Sequence, residues 1–544
     1  MATKGVPIPP PEEEPFPDEQ VPHELPPGDP QTFTDRLVAK TPWWAIAVGL
    51  HVIMAICFSF IDVMGKGTED EDAVVVSQPR KPRPLPEMEK PQNLDPTKKV
   101  LDTTKPSEDP MFRKDATESD RNESDDNEDF QKMKGDSLDF VSDKPFKGKG
   151  TYDVIGGGGG GGGRYGSRLG GKKNLVSKGG GGGDTEDAVK NALKWLSRHQ
   201  GSDGAWKVQG FTDECNKIAR FASGGKCIPN PGMGDFDAGV TGLAILAFLG
   251  AGYSHLSKDN WDGIIVGDVV RKGVQWMMSH QDPEGCVGSR QADKYMYNHT
   301  ICALALSEAF GLTGSNLFKD QAQKAVDFTI ASQNPDKGWR YSYRSGDNDS
   351  SVTGWAVMVL KSAEMSGLPA PKTGYDGTRN WYDEVTEEQY YRVGYTSKGT
   401  GKVYVPNKNE QFNHHEALTA IAMMARIFID RNKSDAKLTG GAQLLLRDLP
   451  KWDGNDIDYY YWYYASLALF QFDGPNGQYW TTWNKAMKEA LVKNQQVGQS
   501  AGCKHGSWEP VDRWACEGGR VYATAINALT LEVYYRYANV FGAH

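Results

Sequence analysis

The chain has 544 residues and a formal net charge of −10, with 71 Asp and Glu against 61 Lys and Arg. No basic helix or aromatic-basic surface motif accompanies that charge, which argues against a nucleic-acid partner. Nearly all Trp and Tyr fall after residue 184, so one large core rather than three domains is expected.

Residues 1–40 are acidic and Pro-rich and are expected to form a disordered tail. The stretch "WWAIAVGLHVIMAICFSFI" (Trp43 to Ile61) contains one readily ionisable side chain, His51. As a helix it would extend about 28 Å, close to the hydrocarbon thickness of a bilayer. Thr41-Pro42 supplies a cap and a first-turn proline, and the Trp pair suits the headgroup layer. The long tail before it fits a cleaved signal peptide poorly, so residues 41–64 are expected to be a single transmembrane signal anchor. Arg36 and Lys40 favour a cytoplasmic tail and an exported C-terminal part, hence an inner-membrane protein with a periplasmic or extracytoplasmic domain. His51 near mid-span is a candidate functional residue, because lipid disfavours an unpartnered ionisable group. With the proline-rich exit "PRKPRPLPEMEKP", this segment resembles the anchor of TonB-type energy transducers, in which such a His meets an ExbB/ExbD-like motor. The resemblance implies that motor as a partner beside the lipid bilayer itself. Ala47 stands where that family has a serine.

Residues 65–184 carry many Pro, Lys, Asp and Glu, two oligoglycine tracts and few large apolar side chains. Such a segment buries too little apolar surface to offset its ordering entropy and is expected to be a disordered tether. Its acidic block "DATESDRNESDDNED" and its basic block "GRYGSRLGGKKNLVSKGG" read as solvated, flexible charge runs.

From 185 to 544 a unit recurs. Helix-like stretches end in Gln200, Gln281 and Gln333, each followed by a polar turn, a glycine (Gly204, Gly285, Gly338) and then Trp206, Val287 or Trp339. A degenerate fourth copy has Gln495, Gly506 and Trp508. The glutamine is placed to satisfy orphan backbone groups at the helix end, the glycine permits the turn, and the tryptophan packs back on a helix. Between the copies run stretches that are apolar on nearly every face. "DFDAGVTGLAILAFLGAG" and "DNDSSVTGWAVMVLKSAEMSG" share D-x-D-x-x-V-T-G-x-A, and four more follow the same theme. Six buried helices alternating with six amphipathic ones, beginning near Thr185, Asp268, Leu317, Thr378, Ala436 and Trp480, predict an all-α, (α/α)6 toroid with a central cavity.

At these residues the chain resembles the prenyltransferase/squalene-cyclase repeat family, whose QW motif the glutamine-tryptophan units match. In squalene-type cyclases the resemblance implies an acidic D-x-D-D motif. Here it reads Asp347-Asn348-Asp349-Ser350, making Asp347 and Asp349 candidate catalytic residues with the last carboxyl replaced. Capping of a helix is the competing reading, supported by Asp235 and Asp237 at the equivalent point. Protein prenyltransferases of the same family hold zinc through an Asp, a Cys and a His. No D-x-C pair occurs and no third ligand joins His299 and Cys302, so neither metal nor cofactor is expected. Carbohydrate-active toroids place His, Tyr or carboxylates at one rim. "YMYNHT", "FNHHEA" and "DIDYYYWYY" begin buried helices and supply the candidates Tyr297, His299, His414, His415, Glu416, Asp458, Tyr459 and Trp462. Cys215/Cys227 and Cys503/Cys516 are spaced for disulfides in an oxidising compartment. The reading is a membrane-anchored, exported toroid that recognises an apolar, peptidic or glycan ligand. The alternatives are a terpene-cyclase-like isomerase and a polysaccharide lyase or glycosidase.

Overall fold

The computed structural model describes residues 165–169, 172–216, 230–400, 416–537 and 539–541. The expected tail, the span at 43–61 and His51 lie outside the described residues, as do His414, His415 and Cys227. Among the described residues no helix is long and apolar enough to cross a membrane.

In chain order the helices are α1 (Lys172–Gly179), α2 (Gly183–Arg198), α3 (Phe211–Asn216), α4 (Asp237–Gly250), α5 (Val266–Ser279), α6 (Tyr295–Thr313), α7 (Asn316–Ala331) and α8 (Ser350–Ser366). They continue as α9 (Thr373–Val385), α10 (Ala417–Asp430), α11 (Ala436–Leu445), α12 (Tyr459–Asp473), α13 (Gln478–Val492), α14 (Ala515–Leu531) and α15 (Val533–Arg536). Helices α4, α6, α8, α10, α12 and α14 are buried along nearly their whole length. Apolar and small residues run round all their faces, as a helix enclosed on every side requires. Neighbours in this series pack side by side, and α14 packs against α4, so the inner layer closes on itself. The amphipathic α2, α5, α7, α9, α11 and α13 surround it, giving six pairs. The expected helix starts agree to within about a turn, except that α9 begins at Thr373, before Thr378.

The repeated glutamine has one geometry throughout. Each Nε2 donates once into its own turn and once into the first half of the next outer helix. Gln200 bonds the carbonyls of Gly204 and Val269, both at 2.9 Å. Gln281 bonds Gly285 (3.1 Å) and Gln321 (2.9 Å), and Gln333 bonds Lys337 (2.6 Å) and Gly374 (3.0 Å). Gln495 bonds Gly506 (2.9 Å) and, across the seam, Ala188 of α2 (2.8 Å). The tryptophan indole N–H returns to the outer helix it follows: Trp206 to Leu196, Trp339 to Thr329 and Trp508 to Leu491. Gly204, Gly285 and Gly506 all have positive φ and lie so close to the next outer helix that a Cβ would strike the carbonyls of Lys272, Lys324 and Asn191.

The expected tether ends earlier than residue 184. Tyr165, Gly166, Ser167 and Arg168 are buried around a 3-10 turn, and α1 follows. The glycine-rich composition pointed to disorder, but Tyr165 and Arg168 find enclosed partners in the ring and fix the backbone between them. Cys516 is a free thiol, so the Cys503–Cys516 bridge is not formed.

Gln495→Ala would remove two buried hydrogen bonds at the seam, leaving the Gly506 carbonyl without its donor while the Ala188 carbonyl keeps only its helical N–H. At about 1 kcal/mol or more for each, the expected loss is roughly 2–3 kcal/mol of unfolding free energy in urea titration. A loss no larger than that of an exposed Gln→Ala substitution would deny the clamp its role.

Candidate functional site

At the N-terminal ends of the inner helices a set of aromatic side chains converges. Tyr297 opens α6, Tyr460 opens α12, Trp514 precedes α14, and Tyr341 and Tyr395 stand on the loops flanking α8 and following α9. All five are partly exposed. Their rings form a loose bowl, with Tyr297 and Tyr341 centroids 6.1 Å apart and Tyr460 and Trp514 centroids 5.9 Å apart. Hydroxyls bind the bowl across helices. Tyr297 Oη donates to Ser351 Oγ at 2.8 Å, Ser351 Oγ lies 2.7 Å from Tyr460 Oη, and the Tyr341 and Tyr395 hydroxyls share a short hydrogen bond. Below, Trp355, Tyr463 and Tyr464 are fully buried and pack ring on ring, so the ring's axis is filled at that depth. Lys294 and Arg340 lie over Tyr341 at 5.8 and 5.0 Å from its centroid, giving the rim positive charge.

Asp349 lies directly under the bowl with no exposed surface. Its Oδ1 caps α8, accepting the N–H groups of Ser351 (2.8 Å) and Val352 (2.7 Å), while Oδ2 is buried and makes no hydrogen bond. Burial pushes the carboxyl up to about 7, against the two N–H groups, Arg340 and the Tyr395 hydroxyl, which hold it down. It is thus a helix cap, and an acid that is largely neutral below pH 7. Asp347 is different. It stands at the surface in an ion pair with Arg340 at 2.6 Å. Ser350, in place of a further carboxyl, donates its hydroxyl to the Gly394 carbonyl and so fixes the loop that carries Tyr395.

The other candidates are placed unevenly. Tyr297 belongs to the bowl. His299 does not: its Nδ1 accepts the Val287 N–H (3.1 Å) and its Nε2 meets Thr329 Oγ1 (2.9 Å). Burial holds its pKa down at about 3, so it is a neutral core residue. It takes the place that Thr241, Thr353 and Thr419 hold in other sectors, each receiving a loop N–H from Trp206, Trp339 and Val393. Glu416 is bound by Arg392 (2.6 and 2.8 Å) and Thr419. Tyr459 and Trp462 are buried beside Trp452, on a different face of α12 from Tyr460. Asp458 caps α12 through the Tyr461 N–H and faces Arg513 at 3.6 Å. Sequence reasoning missed Tyr341, Tyr395, Trp514 and a second enclosed acid, Asp512, and did not separate Tyr460 from its neighbours in the tyrosine run. Burial and the nearby Asp458 carboxylate raise the Asp512 pKa well above the usual range, and its Oδ1 has no partner. No group of His, Cys, Asp and Glu suited to a metal occurs among the described residues.

Asp349→Asn isolates one proton. Because the folded pKa lies above the unfolded one (about 4), the folded state binds the extra proton, and stability falls as pH rises from about 4 to about 7. The Asn variant keeps the capping oxygen and lacks the titration. Urea unfolding from pH 4 to 8 is expected to show the variant gaining on the wild type by a few kcal/mol across that window, and no relative change would refute the neutral acid.

Residues 258–426 match the family model described as the squalene-hopene cyclase C-terminal domain. No curated protein matches the sequence. Among solved structures, the type II terpene cyclase MstE from Scytonema, in complex with geranylgeranyl dihydroxybenzoate, is similar at TM-score 0.39 and 13% identity, over 66% of this chain and 99% of that one. An alpha-amylase from Clostridium perfringens gives TM-score 0.42 and 10% identity over 64% and 98%. An alpha-1,6-mannanase of Salegentibacter in complex with alpha-1,6-mannotetrose gives 0.42 and 9% over 64% and 98%. The matched segment runs from the loop before α5 to α10 and contains the second and third glutamine units, so the described ring is a prenyltransferase/squalene-cyclase-like toroid.

Proposed function

We propose that this chain is a membrane-tethered recognition module whose ligand seats in the aromatic bowl. The observation that carries the reading is the contrast between two levels of the ring. At the rim, five aromatic rings are partly exposed and the four tyrosines among them are tied by hydroxyl hydrogen bonds; beneath them the axis is filled and both acids are sealed. A bowl of flat apolar faces edged with hydroxyls and cations suits a ligand of matching character. A glycan fits best, because its C–H faces stack on rings while its oxygens accept from tyrosine and Arg340. The expected anchor at 41–64 would hold such a module at the outer face of the inner membrane. His51 would be the contact with an ExbB/ExbD-like motor, an idea that fails if His51→Ala leaves function and co-purification of motor proteins unchanged.

A terpene-cyclase-like isomerase is favoured by one observation, the neutral carboxyl of Asp349. It is weighed against by the burial of Oδ2, which an alkene has to reach. Isoprenoid turnover abolished by Asp349→Asn in a folded variant would establish that reading in place of recognition.

Titration calorimetry with neutral oligosaccharides, short peptides and an isoprenoid alcohol tests the bowl. Tyr460→Ala and Trp514→Ala are each expected to weaken binding about tenfold or more, as loss of a central aromatic contact does. Binding that is indifferent to both substitutions would place the ligand elsewhere.

A further inference from the structure

We propose that Tyr165-Gly166-Ser167-Arg168 is a detachable plug: a peptide ligand, supplied by this chain's own tether, that fills a charged socket at the end of the ring opposite the bowl. The four residues belong to none of the six helix pairs, and the ring closes without them through α14 and α4. Yet they are buried and bonded to four separate elements. Arg168 Nη1 meets Glu308 Oε2 of α6 at 2.7 Å and the Leu249 carbonyl of α4 at 3.3 Å, and its Nε donates to the Arg536 carbonyl at 2.9 Å. The guanidinium lies 4.5 Å from the Tyr165 ring centroid and 5.3 Å from that of Tyr537. Ser167 Oγ donates to the Tyr535 carbonyl at 2.8 Å, and Tyr165 Oη lies 2.7 Å from Ser362 Oγ and 3.3 Å from Ser366 Oγ on α8.

The socket is shaped for this occupant. Gly311 lies in the last turns of α6, where glycine weakens a helix, and a Cβ there would collide with Ser366 of α8 and with the Tyr165 ring. A Cβ on Gly252 would collide with the Arg168 carbonyl. The socket also keeps its charge balance when empty, because Glu308 retains Arg536 Nη2 (3.1 Å) and the Tyr537 hydroxyl. Docking leaves Arg168 Nη2 buried without a partner. A buried unpaired donor opposes docking, so the plug is held by a difference between opposing terms rather than locked. Leu249, Glu308, Gly311 and Ser362 lie toward the C-terminal ends of α4, α6 and α8, whereas Tyr297 and Ser351 lie in the first turns of α6 and α8. Ser351 to Ser362 alone spans about 16 Å of helix. The glycine run 156–163 ends one residue before the plug, so the tether joins the ring at the end remote from the bowl.

The test uses the full chain and hydrogen exchange. Arg168→Ala and Gly311→Ala are each expected to raise exchange across 165–169 by about tenfold or more while α6 and α8 stay protected. A synthetic peptide of residues 161–171 is expected to bind the Tyr165→Ala, Arg168→Ala double variant and not the wild type, whose socket is filled. Unchanged exchange at 165–169 in both variants, equal loss of protection through α6 and α8, or failure of the peptide to bind the double variant would each overturn the proposal.

Discussion

A glutamine amide that donates twice, once into its own turn and once into the neighbouring outer helix, is the link on which the ring depends. Adjacent outer helices share no backbone hydrogen bonds, so their spacing rests on side chains. The second N–H of each glutamine ends on a carbonyl in the first half of the next helix, and the turn glycine brings the two backbones close enough for it to reach. The copy at Gln495 joins the last outer helix to the first through Ala188. Closure in turn makes the bowl, since Tyr297, Tyr341, Tyr395, Tyr460 and Trp514 come from five of the six sectors and meet only because the inner helices return on themselves.

The same ring separates two environments. At the N-terminal rim the aromatic rings are partly open and tied by hydroxyls. One turn deeper, Trp355 and Tyr464 are enclosed, and the middle of the ring is packed. Asp349 sits at the boundary. Its cap to α8 satisfies one oxygen, and the enclosure of the other raises the carboxyl toward neutrality, a strain that a helix cap alone does not require. Ser350, standing where a further acid would complete the cyclase motif, serves the loop of Tyr395 instead. The site is thus built from groups that hold and orient, with the acid kept beneath them.

Much of the fold was legible because its signals are periodic. The glutamine units, the shared D-x-D-x-x-V-T-G-x-A stretches and the apolar helices each repeat, and a repeat tolerates a substitution such as Val287 for tryptophan or the interrupted copy ending at Trp508. The site was less legible because it depends on phase. In the run "YYYWYY" (Tyr459 to Tyr464) every position is aromatic, so helical periodicity cannot say which face turns inward; Tyr460, Tyr463 and Tyr464 do, and Tyr459 and Trp462 do not. His299 drew attention beside Cys302 and at the start of a buried helix, whereas its alignment with Thr241 and Thr353 marks it as a receiver of a loop N–H. Tyr341 and Tyr395 lie on irregular loops with no pattern to announce them. Tyr165 and Arg168 were hidden by the glycines around them, since composition averages over a segment and burial is decided by single side chains.

The central claim is that the aromatic bowl, and not the sealed axis or the outer wall, is where a ligand sits. Indole N–H resonances report this directly, because Trp514 lies in the bowl while Trp206 and Trp508 are buried between the layers of the ring. On addition of a binding oligosaccharide, the Trp514 signal is expected to shift progressively to saturation with Trp206 and Trp508 unmoved. Saturable binding that shifts Trp206 or Trp508 and leaves Trp514 in place would contradict the account.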